Sequence, residues 1–178
     1  MTDRIEVLYD ESTIAKCNEK LAGEIAKRKP ERLLVIAILK GSFVFAADLL
    51  RSMHRAGLEP EVDFITLSSY GAGTKSSGEV KVLRDIQTDV AGRDVLLVDD
   101  ILESGRTLNH ARALMVERGA KSTQIAVLLD KPGKRAAKIE ADYVGFTCAD
   151  LFVVGYGMDK AHAYRQLPFV GYLVNEEK

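Results

Sequence analysis

The sequence predicts an α/β fold in which a mostly parallel, twisted sheet is flanked by helices. Three apolar runs, at residues 33–39, 95–98 and 123–129, have the length and composition of strands buried on both faces. Patterns with helical spacing lie between them, and strands that alternate with helices indicate parallel pairing. The 178 residues contain no internal repeat and no low-complexity tract, so we expect a single domain over residues 1–178.

The first elements predict a scaffold. Residues 4–8 have the pattern of a short strand, and Ser12 or Thr13 can cap a helix that Pro30 ends. This helix has one apolar stripe at spacings of three and four residues, formed by Ile14, Cys17, Leu21 and Ile25. We therefore interpret these residues as packing residues.

The second predicted strand ends in a turn that combines a charge with a glycine. Residues 33–39 are followed by Lys40, Gly41 and Ser42, and an apolar helical pattern continues over 43–50. Backbone amides at such a turn, together with a lysine, can hold an anion. A Lys-Gly turn after a strand is usually no more than a turn, so the residues alone leave both interpretations open.

Residues 68–78 form a polar, glycine-rich segment between two predicted strands, 62–67 and 80–86. The segment has too few apolar side chains to bury a surface of its own. A hairpin tip on the surface is one interpretation. An active-site lid that keeps water away from a reactive intermediate is the other.

Residues 95–108 contain the most specific pattern in the chain. Asp99 and Asp100 follow the apolar run, and the turn before the next helix consists of Ser104, Gly105, Arg106 and Thr107. A helix N-terminus has free N–H groups, glycine lets the backbone approach a ligand, and the side chains add donors, which together form a phosphate cradle. The two acids suit sugar hydroxyls or Mg²⁺ instead. A phosphorylated sugar fits the whole segment; a capped loop with surface acids is the simpler alternative.

The C-terminal half adds a helix that ends at Gly119 and several more strands. The strands are predicted at 123–129, 143–146, 152–156 and 172–174. Lys131 directly follows the first of them, at the edge of a parallel sheet where side chains face a ligand crevice. A solvated turn lysine is the common alternative.

Composition limits the classes of partner. The net charge of −1 gives no general attraction to nucleic acid or to an anionic membrane, and no apolar run is long enough to span one. The N-terminus lacks the apolar segment of a signal peptide, and Cys17 and Cys148 have neither metal nor redox spacing. We therefore expect a cytoplasmic protein with free thiols and no nucleic-acid or membrane partner.

The order of residues in 95–108 resembles the phosphoribosyl-pyrophosphate (PRPP) signature of the type I phosphoribosyltransferases: an apolar strand, two acids, two apolar residues, an acid, Ser or Thr, Gly, any residue and Thr. Residues 152–159 resemble the base-binding hood of the hypoxanthine-guanine phosphoribosyltransferases, and the spacing from Lys131 to Arg165 fits that group. The resemblance covers nearly the whole chain. It implies a purine salvage enzyme that transfers phosphoribosyl from PRPP to N9 of hypoxanthine or guanine, giving IMP or GMP and pyrophosphate.

The resemblance also implies a role for each candidate site residue. It assigns the 5′-phosphate to Ser104, Gly105, Arg106 and Thr107, and the ribose to Asp99 and Asp100. It assigns pyrophosphate to Lys40, Gly41 and Arg165, and the purine to Lys131, Phe152, Val153 and Asp159. Mg²⁺ is the implied cofactor, with the ligands Asp99, Asp100 and Asp159. Glu103 is the implied catalytic residue, an acid that exchanges a proton with purine N7.

Three structural expectations follow from the same resemblance. A mobile loop at about 69–80 begins with Ser69 and Tyr70 and closes over the site. The hood is built from the N-terminal strand and residues of about 131–178, and a non-proline cis peptide bond is expected at Leu39–Lys40. Members of the family are homodimers or homotetramers.

Two positions depart from the family pattern. Glu103 stands where the family usually has Asp, which keeps the carboxylate on an arm one methylene longer. Leu151 stands where many members have a polar residue in the hood. Proton-transfer geometry and fine base preference are the properties that these two positions affect.

Three alternatives belong to other functional classes: an RNA-binding regulator on the same fold, a PRPP-making kinase and a non-catalytic nucleotide-binding module. The regulator would need a basic face, whereas the chain is nearly neutral. The kinase would need a longer chain with a separate ATP site. The acid, the lysine and the predicted lid all favour the transferase over a non-catalytic module.

Overall fold

The structure is a computed structural model that describes residues 4–69 and 80–174. Its strands are β1 (Arg4–Tyr9), β2 (Leu34–Leu39), β3 (Glu61–Ser69), β4 (Val80–Arg84), β5 (Asp94–Leu102), β6 (Ser122–Asp130), β7 (Tyr143–Thr147), β8 (Val153–Val154) and β9 (Val170–Val174). Its helices are α1 (Glu11–Lys27), α2 (Phe43–Arg55) and α3 (Arg106–Glu117), with a short 3-10 turn at Pro132–Lys134. No helix among the described residues has both the length and the apolar composition needed to cross a membrane.

Six of these strands form one sheet in the order β4-β3-β2-β5-β6-β7, and every neighbouring pair is parallel except β3 and β4. This arrangement confirms the predicted, mostly parallel sheet with flanking helices. From β2 the chain moves towards one edge of the sheet, and from β5 it moves towards the other. The carboxyl ends of β2 and β5 therefore border a crevice, which is where open α/β sheets bind ligands.

Both faces of the sheet are apolar. Successive side chains of the central strands point to opposite faces, and those on each face pack in an apolar cluster. In β2, Val35 and Ala37 pack with α1 and α2, whereas Leu34 and Ile36 pack with α3. Strand β5 alternates in the same way between the two clusters. Burial on both faces explains why these strands are continuous apolar runs in the sequence.

Replacement of Leu21 by alanine is expected to lower the free energy of unfolding by about 2–5 kcal/mol. Leu21 is 0% exposed and lies on the face of α1 that packs against the sheet, so truncation leaves a cavity. The control is Val116→Ala on α3, because Val116 is 60% exposed. This change should alter the free energy by less than about 0.5 kcal/mol. Urea denaturation measures both, and equal losses would contradict the packing of α1.

A second sheet, which we call the small sheet, is antiparallel and has the order β1-β9-β8. Arg4 pairs with Val174, so the first described strand lies beside the last one. The ring of Tyr9 stacks on that of Phe146 in β7, with ring centroids 4.0 Å apart. The small sheet is therefore packed against one edge of the large sheet.

The predicted start of α1 is wrong. Its N-cap is Asp10 rather than Ser12 or Thr13, because the Asp10 carboxylate accepts the backbone N–H of Thr13 at 2.7 Å. A capping side chain binds the N–H group two or three residues further along the helix, so the cap lies before the first helical residue. The hydroxyl of Ser12 donates to the same carboxylate at 2.9 Å.

The predicted strand at 152–156 is also too long. The strand itself covers only Val153–Val154, which pairs with β9. The next three residues have positive φ, with 91° at Gly155, 50° at Tyr156 and 100° at Gly157. This left-handed backbone ends an extended strand and turns the chain back on itself.

Candidate active site

The turn between β2 and α2 lies at the carboxyl end of the central strand. The peptide bond between Leu39 and Lys40 is cis, as the resemblance led us to expect. Ser42 is buried, and its hydroxyl donates to the carbonyl of Ile38 at 2.6 Å, which ties the turn back to the strand. Lys40 remains exposed at the crevice end of β2.

The two acids lie where β5 separates from β2. Pairing of β5 with β2 ends at Val98, whereas pairing with β6 continues to Leu102. Asp99 and Asp100 therefore lie within β5 rather than after it, which corrects the predicted strand end. Burial raises the pKa of Asp99 well above its ordinary value, and the neighbouring Asp100 carboxylate adds to the effect.

The β2–α2 turn is in direct contact with Asp100 of β5. A Cβ atom added to Gly41 would overlap the Asp100 carboxylate, so only glycine leaves room for that carboxylate in its present place. The sequence separates these residues widely, but β2 and β5 are neighbours in the sheet. The Lys40–Gly41 turn and the acids of β5 thus share one end of the crevice.

The turn at 104–107 leads into α3. Gly105 is its N-cap, with φ of 77°, and the carbonyl of Ser104 accepts the N–H groups of Ala136 and Ala137 at 2.9 and 3.0 Å. A Cβ at Gly105 would overlap the side chain of Ile139. The loop after β6 therefore packs against this turn and binds its backbone. A cavity of about 210 Å³, which we call the Ser104 cavity, is lined by Asp99, Glu103, Ser104, Gly105 and Thr107 among others.

A second cavity, of about 550 Å³, lies on the other side of Glu103. We call it the Lys131 cavity, and its lining includes Asp100, Glu103, Lys131, Phe152, Val153 and Asp159. The Nζ of Lys131 donates to the carbonyl of Leu151 at 2.7 Å and lies 3.9 Å from Oε1 of Glu103. A buried ammonium and a carboxylate therefore face the same space, next to the exposed ring of Phe152.

The segment after β8 forms a third side of the crevice. Arg165 donates to the carbonyl of Gly157 at 2.6 Å and pairs with the Asp159 carboxylate at 2.7 Å. A Cβ at Gly157 would overlap the carbonyl of Gly41, so this segment lies directly on the β2–α2 turn. Three segments that are distant in sequence thus meet at one crevice.

Comparison with known proteins adds an independent observation. Residues 5–161 match the family model described as a phosphoribosyl transferase domain. The chain belongs to the phosphoribosyltransferase family. The resemblance inferred from the sequence is thereby confirmed.

Relatives of this phosphoribosyltransferase are alike over nearly their full length. The hypoxanthine-guanine phosphoribosyltransferase of Streptococcus pyogenes is 44% identical over 172 residues, which are 96% of this chain and 94% of the relative. A crystal structure of a hypoxanthine phosphoribosyltransferase from Staphylococcus aureus has a TM-score of 0.89 and 40% identity, covering 95% of this chain and 91% of that one. A mutant of the Trypanosoma cruzi enzyme, described as a ternary substrates complex, has a TM-score of 0.90 and 35% identity, covering 98% and 97%.

The crevice of the phosphoribosyltransferase brings together nearly all predicted site residues that the structure describes. Within the 104–107 turn, Arg106 lines neither the Ser104 cavity nor the Lys131 cavity, and its side chain is exposed where α3 begins. The predicted loop at about 69–80 falls mostly outside the described residues: Tyr70 is outside them, and Ser69 ends β3.

Sequence reasoning missed two charged residues that line the Lys131 cavity, Lys134 and Asp150. Their side chains pair at 2.8 Å. They lie in separate turns, and nothing in the spacing of the sequence indicates that these turns meet. Leu151, which the resemblance singled out, contributes its carbonyl to Lys131.

The residues present fit a magnesium ion that shares its ligands with a substrate. Within residues 4–69 and 80–174, no group of three or more His, Cys, Asp or Glu side chains is arranged to hold a metal by itself. Mg²⁺ usually keeps several waters and is held by one or two carboxylates and substrate phosphates. Asp100 and Asp159 line the same cavity and provide such carboxylates.

Proposed function

We propose that this phosphoribosyltransferase transfers phosphoribosyl from PRPP to N9 of hypoxanthine or guanine, giving IMP or GMP and pyrophosphate. The observation that supports this function best is the convergence of Gly41, Asp100 and Lys131 on one crevice. The hypoxanthine-guanine activity named for the Streptococcus pyogenes relative, at 44% identity, supports the choice of base.

The sugar-phosphate side uses the turn at 104–107. Its backbone N–H groups and hydroxyls bind the 5′-phosphate at the N-terminus of α3, with the positive charge of Arg106 nearby. Asp99 and Asp100 accept hydrogen bonds from the ribose hydroxyls. These contacts position C1 of the ribose at the junction of the two cavities, and positioning of this kind supplies much of the rate.

The leaving group is stabilised on the opposite side of Asp100. Lys40, the amide of Gly41 and Arg165 bind pyrophosphate as the C1–O bond breaks and negative charge grows on the leaving oxygen. Mg²⁺, which Asp100 and Asp159 would hold, supplies charge neutralisation for that group when bound. Asp99, the third ligand that the resemblance implied, lines the Ser104 cavity instead. As the bond breaks, positive charge develops on the ribose.

The base binds in the Lys131 cavity. Lys131 donates a hydrogen bond to O6 of the purine, Phe152 stacks on the ring, and the backbone of Val153 reads its edge, with Asp159 near by. An amino group at the same place, as in adenine, is itself a donor, so it would meet another donor. The C1–N9 bond forms as pyrophosphate departs, and the purine gives its N7 proton to the Glu103 carboxylate.

We also infer a cytoplasmic homodimer or homotetramer without nucleic-acid or membrane partners. Both cysteines of the chain, Cys17 and Cys148, are free and buried, which suits a reducing compartment. The net charge of −1 gives no electrostatic basis for RNA binding. Light scattering measures the assembly, and a filter-binding assay with RNA at moderate salt tests the regulator alternative.

A substrate panel tests the proposed function. The purified protein is incubated with PRPP, Mg²⁺ and one of hypoxanthine, guanine, xanthine or adenine, and the nucleotide products are separated and quantified. We expect PRPP-dependent IMP or GMP, little AMP, and loss of product when EDTA removes Mg²⁺. Formation of AMP as the main product, or of no nucleotide at all, would contradict the proposal.

Replacement of Lys131 by alanine is expected to raise KM for the purine by about 10- to 100-fold, because a charged hydrogen bond to O6 contributes about 1.5–3 kcal/mol. KM for PRPP should change little. Steady-state kinetics with hypoxanthine and guanine measure the effect, and Lys138→Ala is the control because Lys138 is an exposed lysine of the same loop. An unchanged purine KM would remove Lys131 from base recognition.

A further inference from the structure

The side chain of Tyr156 joins three parts of the molecule at one buried oxygen. Tyr156 is 4% exposed. Its hydroxyl accepts a hydrogen bond from Nδ2 of Asn18 in α1 at 2.9 Å and donates one to Oδ2 of Asp48 in α2 at 2.7 Å. The turn after β8 is thereby fixed to both helices on one face of the sheet.

The backbone at Tyr156 is held in a conformation that non-glycine residues rarely adopt. Tyr156 has φ of 50° between two glycines that are also left-handed. Its N–H donates to the carbonyl of Leu167 at 2.8 Å, and the N–H of Gly157 donates to the carbonyl of Arg165 at 3.0 Å. Since a side chain in this region costs free energy, its surroundings must hold it there, and the phenol is its buried anchor.

The segment that Tyr156 anchors forms the pyrophosphate side of the crevice. Gly157 lies on the carbonyl of Gly41, its own carbonyl accepts from Arg165, and Asp159 follows two residues later. Asp48, the acceptor of the phenol, lies on α2, which begins directly after the Gly41 turn. The bond between Tyr156 and Asp48 therefore connects the two segments that meet around the leaving group.

We propose that Tyr156 is a positioning residue that sets the 155–159 turn against the start of α2, and so aligns Asp159 and Arg165 with Lys40 and Gly41 around pyrophosphate. The proposal rests on the function proposed above. Tyr156 does not line the Lys131 cavity, so it acts through the residues that it holds.

The Tyr156 hydroxyl can keep its hydrogen bond to Asp48 at neutral pH. Burial and the hydrogen bond to Asp48 raise the pKa of Tyr156, so the phenol keeps its proton at neutral pH and remains a donor. Removing the oxygen leaves Nδ2 of Asn18 and Oδ2 of Asp48 without this partner, although the ring still fills its place. Tyr156→Phe thus tests the link with little change in packing.

The test compares Tyr156→Phe with Tyr143→Phe. Tyr143 is also 4% exposed, and it begins β7, the edge strand of the large sheet, at the end away from the crevice. Its hydroxyl donates to Gln124 of β6 at 3.1 Å. We expect Tyr156→Phe to raise KM for PRPP roughly tenfold, with KM for hypoxanthine changed less than about twofold. The control should leave both constants near those of the wild type, even if its melting temperature falls as far.

A second pair of variants tests the same link from α2. Asp48→Asn keeps an acceptor oxygen for the phenol, so its KM for PRPP should stay near that of the wild type. Asp48→Ala removes the acceptor, so its KM for PRPP should rise as in Tyr156→Phe. Combining Asp48→Ala with Tyr156→Phe should add little to either single change, because both remove one interaction. This pair also decides the question if Tyr156→Phe does not fold.

If Tyr156→Phe and Asp48→Ala both keep the wild-type ratio of KM for PRPP to KM for hypoxanthine, the positioning role is overturned. The link would then affect stability alone. The failure of the proposed function has a different signature. In that case the wild-type protein itself would form no nucleotide from PRPP and a 6-oxopurine.

Discussion

Glu103→Gln is expected to lower kcat by about 10²- to 10⁴-fold, because glutamine cannot take the N7 proton. Glu103 lines both the Ser104 cavity and the Lys131 cavity, so in the proposed mechanism its carboxylate stands between the sugar and the base. The substitution keeps the size of the side chain and leaves the 104–107 turn intact. KM for PRPP should therefore change less than about threefold, since the phosphate contacts do not involve this group.

Single-turnover and steady-state kinetics with saturating hypoxanthine measure the loss. Glu103→Asp is the matched variant, because it keeps the charge and shortens the arm by one methylene. We expect it to retain kcat within about a hundredfold, since a displacement of about 1 Å can cost that much. Equal turnover in Glu103→Gln and the wild type would remove Glu103 from the mechanism.

Gly41→Ala is expected to reduce kcat/KM for PRPP by at least about 10²-fold. The added methyl group would overlap the Asp100 carboxylate, which is on a short side chain whose Oδ1 also accepts the N–H of Ile101 at 3.0 Å. Asp100 must therefore turn away from the place in which it binds ribose and Mg²⁺ in the proposed mechanism. Purine binding, for which the proposed contacts are Lys131, Phe152 and Val153, should be affected less.

Gly23→Ala is the control for this change. Gly23 lies in α1, a Cβ there meets nothing within 4 Å, and alanine is the better helix former. Its kinetics should equal those of the wild type, with stability unchanged or slightly raised. Isothermal titration with PRPP and Mg²⁺ separates the binding loss in Gly41→Ala from a chemical one. Equal affinities in the two variants would contradict the close approach of Gly41 and Asp100.

Much of the fold was predictable because its signals are local. Strands buried on both faces are short apolar runs, and the turns after β2 and β5 have glycines where the backbone approaches another group. The parallel sheet then brings the ends of these strands to one edge, so Lys40, Asp100 and Lys131 could be grouped from the sequence alone. The start of α1 was placed wrongly because Asp10, Ser12 and Thr13 are all good caps, and only geometry decides among them.

The residues that hold the site together were not predictable in the same way. Asn18 and Tyr156 are 138 positions apart, and their hydrogen bond depends on where a turn after β8 meets a helix near the N-terminus. Similarly, the support of Gly105 by Ile139 requires the loop after β6 to pass beneath α3. No periodicity or motif encodes such contacts, since they arise only once the layers have packed.

The pairing of β1 with β9 has a consequence for the order in which the chain folds. Strand β1 precedes every strand of the large sheet in the sequence, whereas its partner β9 follows all of them. Contacts between such distant positions form late, because the entropy cost of closing a long loop must be met before the contacts stabilise the chain. We therefore expect the parallel pairs of the large sheet, whose strands are closer in sequence, to form before β1 pairs with β9 in the small sheet.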